Sequence, residues 1–328
     1  VPARKLPVPI VFEPIMMSPV MRELDRMLRA VAGKEVTVTL IGESGSGKEV
    51  MARRLHQLSR RHDGPFIPIN CAAIPEALVE SELFGHERGA YTGATERSLG
   101  RVAMATGGTL FLDEVAEMPL ALQAKLLRFL ETRRYMRVGG TRKLDADIRL
   151  VLATLRPLDL EVQAGRFRPD LYYRVQGIML TVPPLRARRR DIPTLLDTFI
   201  AQLSAFHEVR APRLTRAARS RLLAHDWPGN VRELRNVVEL LCILHEGKVV
   251  RVQDLPLPST MVQDNGAFEV DLSQTLDQIV DQIIDAVIGR ASGNLAHAAR
   301  QLGVSVRTLQ RRRAPRSEPS PTIRSRRP

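Results

Sequence analysis

Of the 328 residues only two are cysteine, Cys71 and Cys242, far apart and with no CxxC spacing. A disulfide framework and a thiolate metal site are therefore excluded, and two buried thiols in a reducing compartment are expected. Aromatic residues make up 4% of the chain, with a single tryptophan. No stretch approaches the ~20 uninterrupted apolar residues of a membrane span. The proline-interrupted first twenty residues lack the apolar core and small-residue cleavage site of a secretory leader. These absences point away from a membrane partner and towards a cytoplasmic protein.

What is present is enough apolar sequence for a folded chain of two or three domains, 44% hydrophobic against 26% charged. Lys and Arg number 49 against 36 acids, a net charge of +13 and an isoelectric point near 10.7, which implies a polyanionic partner. The excess is localised. From Gly293 to Pro328 there are nine arginines and one acid, Glu318, a net +8.

The spacing of apolar residues separates two regimes. A helical pattern (Met21, Leu24, Leu28, Val31) leads into the β-branched run Val36 to Ile41, a Gly-rich turn and a helical pattern from Glu49 to Leu58. Short apolar runs at Phe66–Ile69, Thr109–Leu112, Ile148–Ala153 and Ile178–Val182 alternate with helical segments such as Leu120–Glu131, predicting an α/β domain with a parallel sheet. After Pro183-Pro184 the strands are expected to stop, and amphipathic helices near 191–207, 214–225 and 230–245 predict a small all-helical subdomain. The helical stripe Leu276, Ile279, Val280, Ile283, Ile284, Val287 and Ile288 fits either a core helix or one that pairs with a second copy. The expected organisation is an N-terminal extension (1–14), an α/β subdomain (15–186), a helical lid (187–256), a linker (257–270), a small helical domain (271–314) and a disordered basic tail (315–328).

Two elements carry chemistry. Gly42-Glu43-Ser44-Gly45-Ser46-Gly47-Lys48 follows a predicted strand and opens a predicted helix, the setting in which backbone N–H groups and a lysine bind nucleotide phosphates. Glu49 stands where the general pattern has a Ser or Thr for Mg2+. Gly107 to Leu112 is an apolar strand that ends in Asp113-Glu114, and ligands bind at that end of parallel strands. Asp113 is placed to hold Mg2+ or its water shell and Glu114 to polarise an attacking water, so the pair of elements predicts ATP hydrolysis.

Glu82-Leu-Phe-Gly-His-Glu-Arg-Gly-Ala-Tyr-Thr-Gly-Ala94, with the two elements above and Trp227-Pro-Gly-Asn-Val-Arg-Glu-Leu234, closely resembles the AAA+ domain of bacterial enhancer-binding proteins, the activators of sigma-54 RNA polymerase. In that family Glu follows the loop lysine, as Glu49 does here. The resemblance implies an AAA+ P-loop NTPase with a helical lid, ATP and Mg2+ as cofactors, and assembly from dimers into a hexameric ring. It implies that Gly89, Ala90, Tyr91, Thr92, Gly93 and Ala94 form a mobile loop that touches sigma-54, with Tyr91 in place of the usual Phe. Arg133–Arg149, with Gly139-Gly140, resembles the second loop that moves with it. By the same resemblance Asn70 restrains Glu114, Arg168 and Arg174 reach the neighbouring subunit's γ-phosphate, and Arg232 reaches the nucleotide from the lid. Leu155 departs from the family, occupying the place of an asparagine that reports the γ-phosphate, and a leucine side chain makes no hydrogen bond.

Gly293 to Leu302, Gly303 and Val304 to Arg313 read as two short helices joined at a glycine, a helix-turn-helix. This end resembles the Fis-type DNA-binding domain of the same activators. Ser305 is the expected N-cap, and Val306, Arg307, Thr308, Gln310 and Arg311 are expected near base edges or phosphates of double-stranded DNA at an enhancer site. The leading expectation is a sigma-54-dependent activator that uses ATP hydrolysis to open promoter DNA. The alternative is a nucleotide- and DNA-binding regulator with weak or no hydrolysis, and Leu155 is its best support.

Overall fold

The computed structural model describes residues 14–257, 276–290, 295–306 and 308–309, which fall in two compact units divided after Leu257. In the first unit, α1 (Pro19–Ala32) turns Met21, Leu24 and Leu28 inward. It is followed by β1 (Val38–Ile41), the Gly-rich loop, α2 (Lys48–Gln57), β2 (Phe66–Asn70) and α3 (Glu76–Phe84). A hairpin of β3 (Gly85–His86) and β4 (Ser98–Leu99) precedes α4 (Arg101–Met104), β5 (Thr109–Asp113) and α5 (Leu120–Thr132). A second hairpin, β6 (Arg134–Tyr135) and β7 (Leu144–Asp145), leads into β8 (Arg149–Thr154), α6 (Leu158–Gln163), α7 (Pro169–Val175) and β9 (Met179–Thr181).

The five-stranded sheet has the order β2-β5-β8-β1-β9 and every pair in it is parallel. Both faces are covered, so its central strands are apolar throughout instead of alternating. Every residue of β8 is buried. Because successive side chains of a strand point to opposite faces, Phe111 of β5 joins Met21, Leu28, Val38 and Val151 in one core. Leu110 and Leu112 join Phe129, Leu150 and Leu152 in the other.

The lid comprises α8 (Ile192–Phe206), β10 (Arg213–Leu214), α9 (Arg216–Ala224), α10 (Asn230–Leu244) and β11 (Val249–Val250). It packs Leu196, Phe199, Leu234 and Val238 around the fully buried Trp227. The helices match the sequence expectation, but strands do not stop after Pro184: β10 and β11 form a two-residue parallel ladder. A strand this short has no alternation to display in a sequence. Both cysteines are buried and free.

The second unit contains α11 (Leu276–Arg290) and α12 (Leu295–Leu302), with Ile284, Ile288, Ala298, Ala299 and Leu309 as its core. The apolar stripe of α11 thus serves as core through Val280, Ile284, Val287 and Ile288. Residues 1–13, the linker beyond Leu257 and the tail 315–328 lie outside the described residues.

A buried carboxylate ties the start of the α/β part to the start of the lid. Asp191, fully buried, accepts hydrogen bonds from the Ser18 backbone N–H at 2.6 Å and the Ser18 hydroxyl at 3.0 Å. Asp191→Ala would leave both donors without their acceptor and remove the carboxylate that faces the buried Arg188. The expected loss is about 3 kcal/mol in urea unfolding, and a variant as stable as the parent would show that this junction is not held by Asp191.

Candidate nucleotide site and surface loops

The Gly-rich loop begins where β1 ends. Gly45 and Gly47 have φ of +73° and +101°, a left-handed geometry that glycine adopts without steric cost. Gly47 caps α2 without a side-chain hydrogen bond, which leaves the first-turn N–H groups of the helix free to face an anion. The buried Lys48 ammonium donates to the Gly42 carbonyl at 2.9 Å and contacts Glu114 Oε1 at 3.2 Å. The Ser46 hydroxyl is buried with no partner. Glycine cradle, helix N-terminus, ammonium and orphaned hydroxyl form a donor set suited to nucleotide phosphates.

Asp113 and Glu114 arrive at the C-terminal end of β5. Burial, then the neighbouring Glu114 charge, raises the Asp113 pKa above the usual carboxylate value. The same environment pushes the Cys71 thiol up to about 12, chiefly by burial and then by Asp113 and Glu114, so that thiol is unreactive. Glu114 takes a left-handed backbone, φ +53°, a conformation that costs a residue with a Cβ roughly 1 kcal/mol and is common at functional sites. Its second oxygen, Oε2, accepts from the Leu155 backbone N–H at 3.0 Å. The Leu155 side chain is exposed, and the Thr154 hydroxyl is engaged with the Arg156 backbone. At this position the main chain holds the Glu114 carboxylate, a contact separate from the γ-phosphate contact that an asparagine side chain would make and a leucine side chain does not.

The other expected site residues are distributed differently. Asn70 lies beside Asp113 in the β2–β5 register, but its Oδ1 accepts from the Ala72 N–H at 2.9 Å and caps the following turn. The expectation that it restrains Glu114 is not met in this conformation, because Lys48 and Leu155 hold that carboxylate. Arg168 pairs with Asp170 through two hydrogen bonds at 3.0 and 2.7 Å, and Arg174 donates to the Leu130 carbonyl. Arg232 donates to the Ser44 hydroxyl at 2.8 Å, so the lid reaches the loop directly. Glu49 pairs with Arg53 on the exposed side of α2.

Gly89 to Ala94 caps the β3/β4 hairpin. Gly89 and Gly93 are left-handed, with φ of +81° and +106°. The loop closes through Gly89 N–H to the Ala94 carbonyl and Ala94 N–H to the Tyr91 carbonyl, at 2.8 and 3.0 Å. Tyr91, Thr92 and Gly93 are exposed, and the Tyr91 ring meets His86 edge-on at 5.1 Å. Ala94 is 6% exposed, which corrects its expected role: it anchors the loop and offers no surface for contact. The loop joining β6 to β7 packs beneath it. Glu87 N–H donates to the Val138 carbonyl, Arg137 pairs with Glu87 at 2.9 Å, and a Cβ on Gly139 would stand 2.8 Å from the Ala90 Cβ.

Residues 15–181 match the sigma-54 interaction domain, 186–267 the AAA+ ATPase lid domain, and 275–314 the Fis family of bacterial regulatory proteins. The chain belongs to the sigma-54 interaction domain family. It is 42% identical over 292 residues to the transcriptional regulatory protein ZraR of Salmonella typhimurium, covering 89% of this chain and 66% of that protein. It is 41% identical over 311 residues to the transcriptional regulatory protein FlbD of Caulobacter vibrioides, covering 90% and 68%. The solved structure of NtrX from Brucella abortus in complex with ATP is similar at a TM-score of 0.70 and 35% identity, covering 92% of this chain and 68% of that one. The chain spans about two thirds of the length of these relatives. Its first unit has the AAA+ P-loop NTPase fold of the sigma-54 interaction domain family, with a parallel sheet and helical lid, and its second carries the Fis-type helix-turn-helix.

In that second unit Gly303 makes the expected turn at φ +66°. Ser305 is the N-cap: its Oγ accepts from the Thr308 N–H at 3.1 Å and lies 2.8 Å from the Thr308 hydroxyl. Val306 packs against the Ile284–Leu309 core. That corrects its expected place near base edges, since an apolar side chain after the cap is drawn to the buried face. Arg307, Gln310 and Arg311 lie outside the described residues.

Three residues that bind lid to loop carried no sequence signal of that role. Asn230, fully buried at φ +55°, donates to Glu43 Oε2 and the Ser44 carbonyl at 3.1 and 3.0 Å and accepts from the Leu185 N–H at 2.7 Å. Arg186 forms a fork on Glu43, and the buried Arg188 donates to the Ser46 carbonyl. Arg186, then Asn230, lowers the Glu43 carboxyl from 4.5 to about 2. A carboxylate depressed in the folded state stabilises above its unfolded pKa, and the contribution disappears as pH falls through the folded value. Glu43→Gln is thus expected to lose stability less steeply than the parent between pH 4.5 and 2 in thermal melts. Identical acid limbs in the two proteins would contradict this.

Proposed function

We propose that the chain works within a sigma-54-dependent transcriptional activator, hydrolysing ATP in a ring and using it to remodel the closed polymerase complex. One observation carries the reading: the β6/β7 hairpin, whose loop lies beneath Gly89–Ala94, continues directly into β8, and β8 ends at Leu155, whose N–H holds Glu114. A single buried strand therefore joins the candidate hydrolytic carboxylate to the surface loops, a path along which a change at the nucleotide can move the exposed tip.

Bound ATP with Mg2+ supplies the γ-phosphoryl group and the neutralising charge for its transfer. Lys48, the first turn of α2 and Ser46 would hold the phosphates, and Asp113 the cation. Mg2+ commonly takes only one or two carboxylates together with nucleotide oxygens and water. Glu114 orients and deprotonates the attacking water. Its Oε1 is the oxygen shared with Lys48, so a phosphate that draws Lys48 away frees that oxygen while Leu155 N–H keeps Oε2 in place. Arg232 closes the lid side, and Arg168 and Arg174 are offered to the next protomer, which makes turnover depend on assembly into a hexamer. The exposed tip Tyr91–Thr92–Gly93 presses on sigma-54. The Ser305-capped helix, with Arg307, Thr308, Gln310 and Arg311, anchors the assembly on enhancer DNA, and the arginine-rich tail adds phosphate contacts. Among the described residues no helix is long and apolar enough to cross a membrane.

The regulator with weak hydrolysis rests on the Leu155 side chain, and the main-chain bond to Glu114, which any residue but proline could make there, leaves that support standing. ATP turnover measured against protein concentration separates the two. Turnover per subunit is expected to rise with assembly, to vanish in Glu114→Ala and to survive Leu155→Ala, which keeps the N–H. Flat background hydrolysis that Leu155→Asn restores would sink the motor reading. Thr92→Ala is expected to keep ATP turnover and lose promoter opening in a reconstituted sigma-54 transcription assay. Retained opening would remove the contact role of the loop.

A further inference from the structure

Away from the nucleotide site, a cavity of about 600 Å3 opens between α3, α5 and the β6/β7 hairpin. None of the residues lining it belongs to the loop 42–49 or to Asp113-Glu114. Its floor is aromatic. Phe84, Phe129 and Tyr135 are buried, with ring centroids 6.0 to 6.5 Å apart, and Met136 lies exposed at the mouth.

The walls are cationic. Lys125 pairs with Glu80, Arg134 with Asp145 and Arg137 with Glu87. The other two basic lining residues, Arg128 and Lys143, are exposed and enter no ion pair among the described residues. The Arg137 side chain is only 9% exposed, and its Nε has no hydrogen-bond partner. A buried donor left unpaired is costly and rare in folded proteins, and this one belongs to a side chain that lines the cavity.

We propose that this cavity binds a small aromatic phosphate of about mononucleotide size, its ring against the exposed Met136 and the edge of Tyr135 above the buried Phe84 and Phe129, and its phosphate on Arg128 and Lys143. The volume is that of a small-molecule pocket. Aromatic rings favour offset or edge contact with another ring, and an anion beside unpaired guanidinium and ammonium groups forms charge-assisted hydrogen bonds. One wall is the β6/β7 loop itself, Met136 to Gly140, which touches Ala90 through Gly139. A ligand seated there stiffens that loop and reaches the exposed tip at Tyr91 without passing through the nucleotide site. The site stands whether or not that tip contacts sigma-54.

Calorimetric titration of the whole chain with naphthyl phosphate tests the proposal, with inorganic phosphate and naphthol as separate arms and ADP binding as a control for folding. One saturable site is expected for naphthyl phosphate, with both half-ligands binding more weakly. Arg128→Glu combined with Lys143→Glu should weaken it by about tenfold or more and leave ADP binding intact. Met136→Glu, a single change at the exposed mouth, should weaken it in the same direction. Absence of saturable binding, equal binding by the double variant, or binding abolished by Lys48→Ala would overturn the site.

Discussion

The nucleotide site is organised around one carboxylate. Glu114 sits between a buried ammonium and a main-chain N–H, and a buried ion pair is tolerable only when the groups around it take up the remaining hydrogen-bonding capacity, since removing each charge from water costs several kcal/mol. Here the Gly42 carbonyl serves Lys48 and the Leu155 N–H serves Glu114. These groups come from the ends of β1, β5 and β8, which are neighbours in the order β5-β8-β1. The sheet order is thus a condition of the site. Moving any of the three strands would leave a buried charge without its partner.

The same economy explains why the lid bears on the loop. Asn230 has no solvent to turn to, so its amide must be satisfied by protein, and it uses Glu43, the Ser44 carbonyl and the Leu185 N–H for this. Such close approach is possible only because Gly45 lacks a side chain: a Cβ there would lie 2.4 Å from the Gly229 carbonyl oxygen. Gly45 therefore answers two demands, a left-handed turn and contact with the lid. Any ligand that reshapes the loop also shifts the polar contacts that position the lid, and the coupling runs equally in reverse.

What was legible in the sequence follows from how local each signal is. The Gly-rich loop, the acidic pair after β5 and the Ser305 cap depend on residues a few positions apart, and each was found where expected. The sheet strands were visible as apolar runs, whereas the short hairpin strands and the β10/β11 ladder were hidden because two residues make no period. Asn230, Arg186 and Asp191 were missed for a different reason: their partners lie more than a hundred residues away. Leu155 is the sharpest case. Its side chain suggested a lost contact to phosphate, and the structure shows a different contact at the same position, from the backbone N–H to Glu114, a donor that every residue except proline carries. Ala94 and Val306 were assigned to surfaces by motif position, but Ala94 is buried and Val306 is partly buried against the helical core.

The state of Arg168 bears on how a ring could use it. Its pair with Asp170 joins two side chains each more than 40% exposed, and such surface pairs contribute about 0 to 1 kcal/mol. Phosphate oxygens in a water-poor cleft between protomers would bind the guanidinium more strongly, because charge-assisted hydrogen bonds gain strength as the local dielectric falls. In such a ring Asp170 would act as a holder, keeping the fork at the N-terminus of α7 until a stronger anion takes it. A deeply buried pair in that place would resist transfer, and an arginine without a partner would sample many rotamers and lose entropy on engagement. In the proposed ring, the weakness of the pair would suit Arg168 to report the arrival of a neighbour.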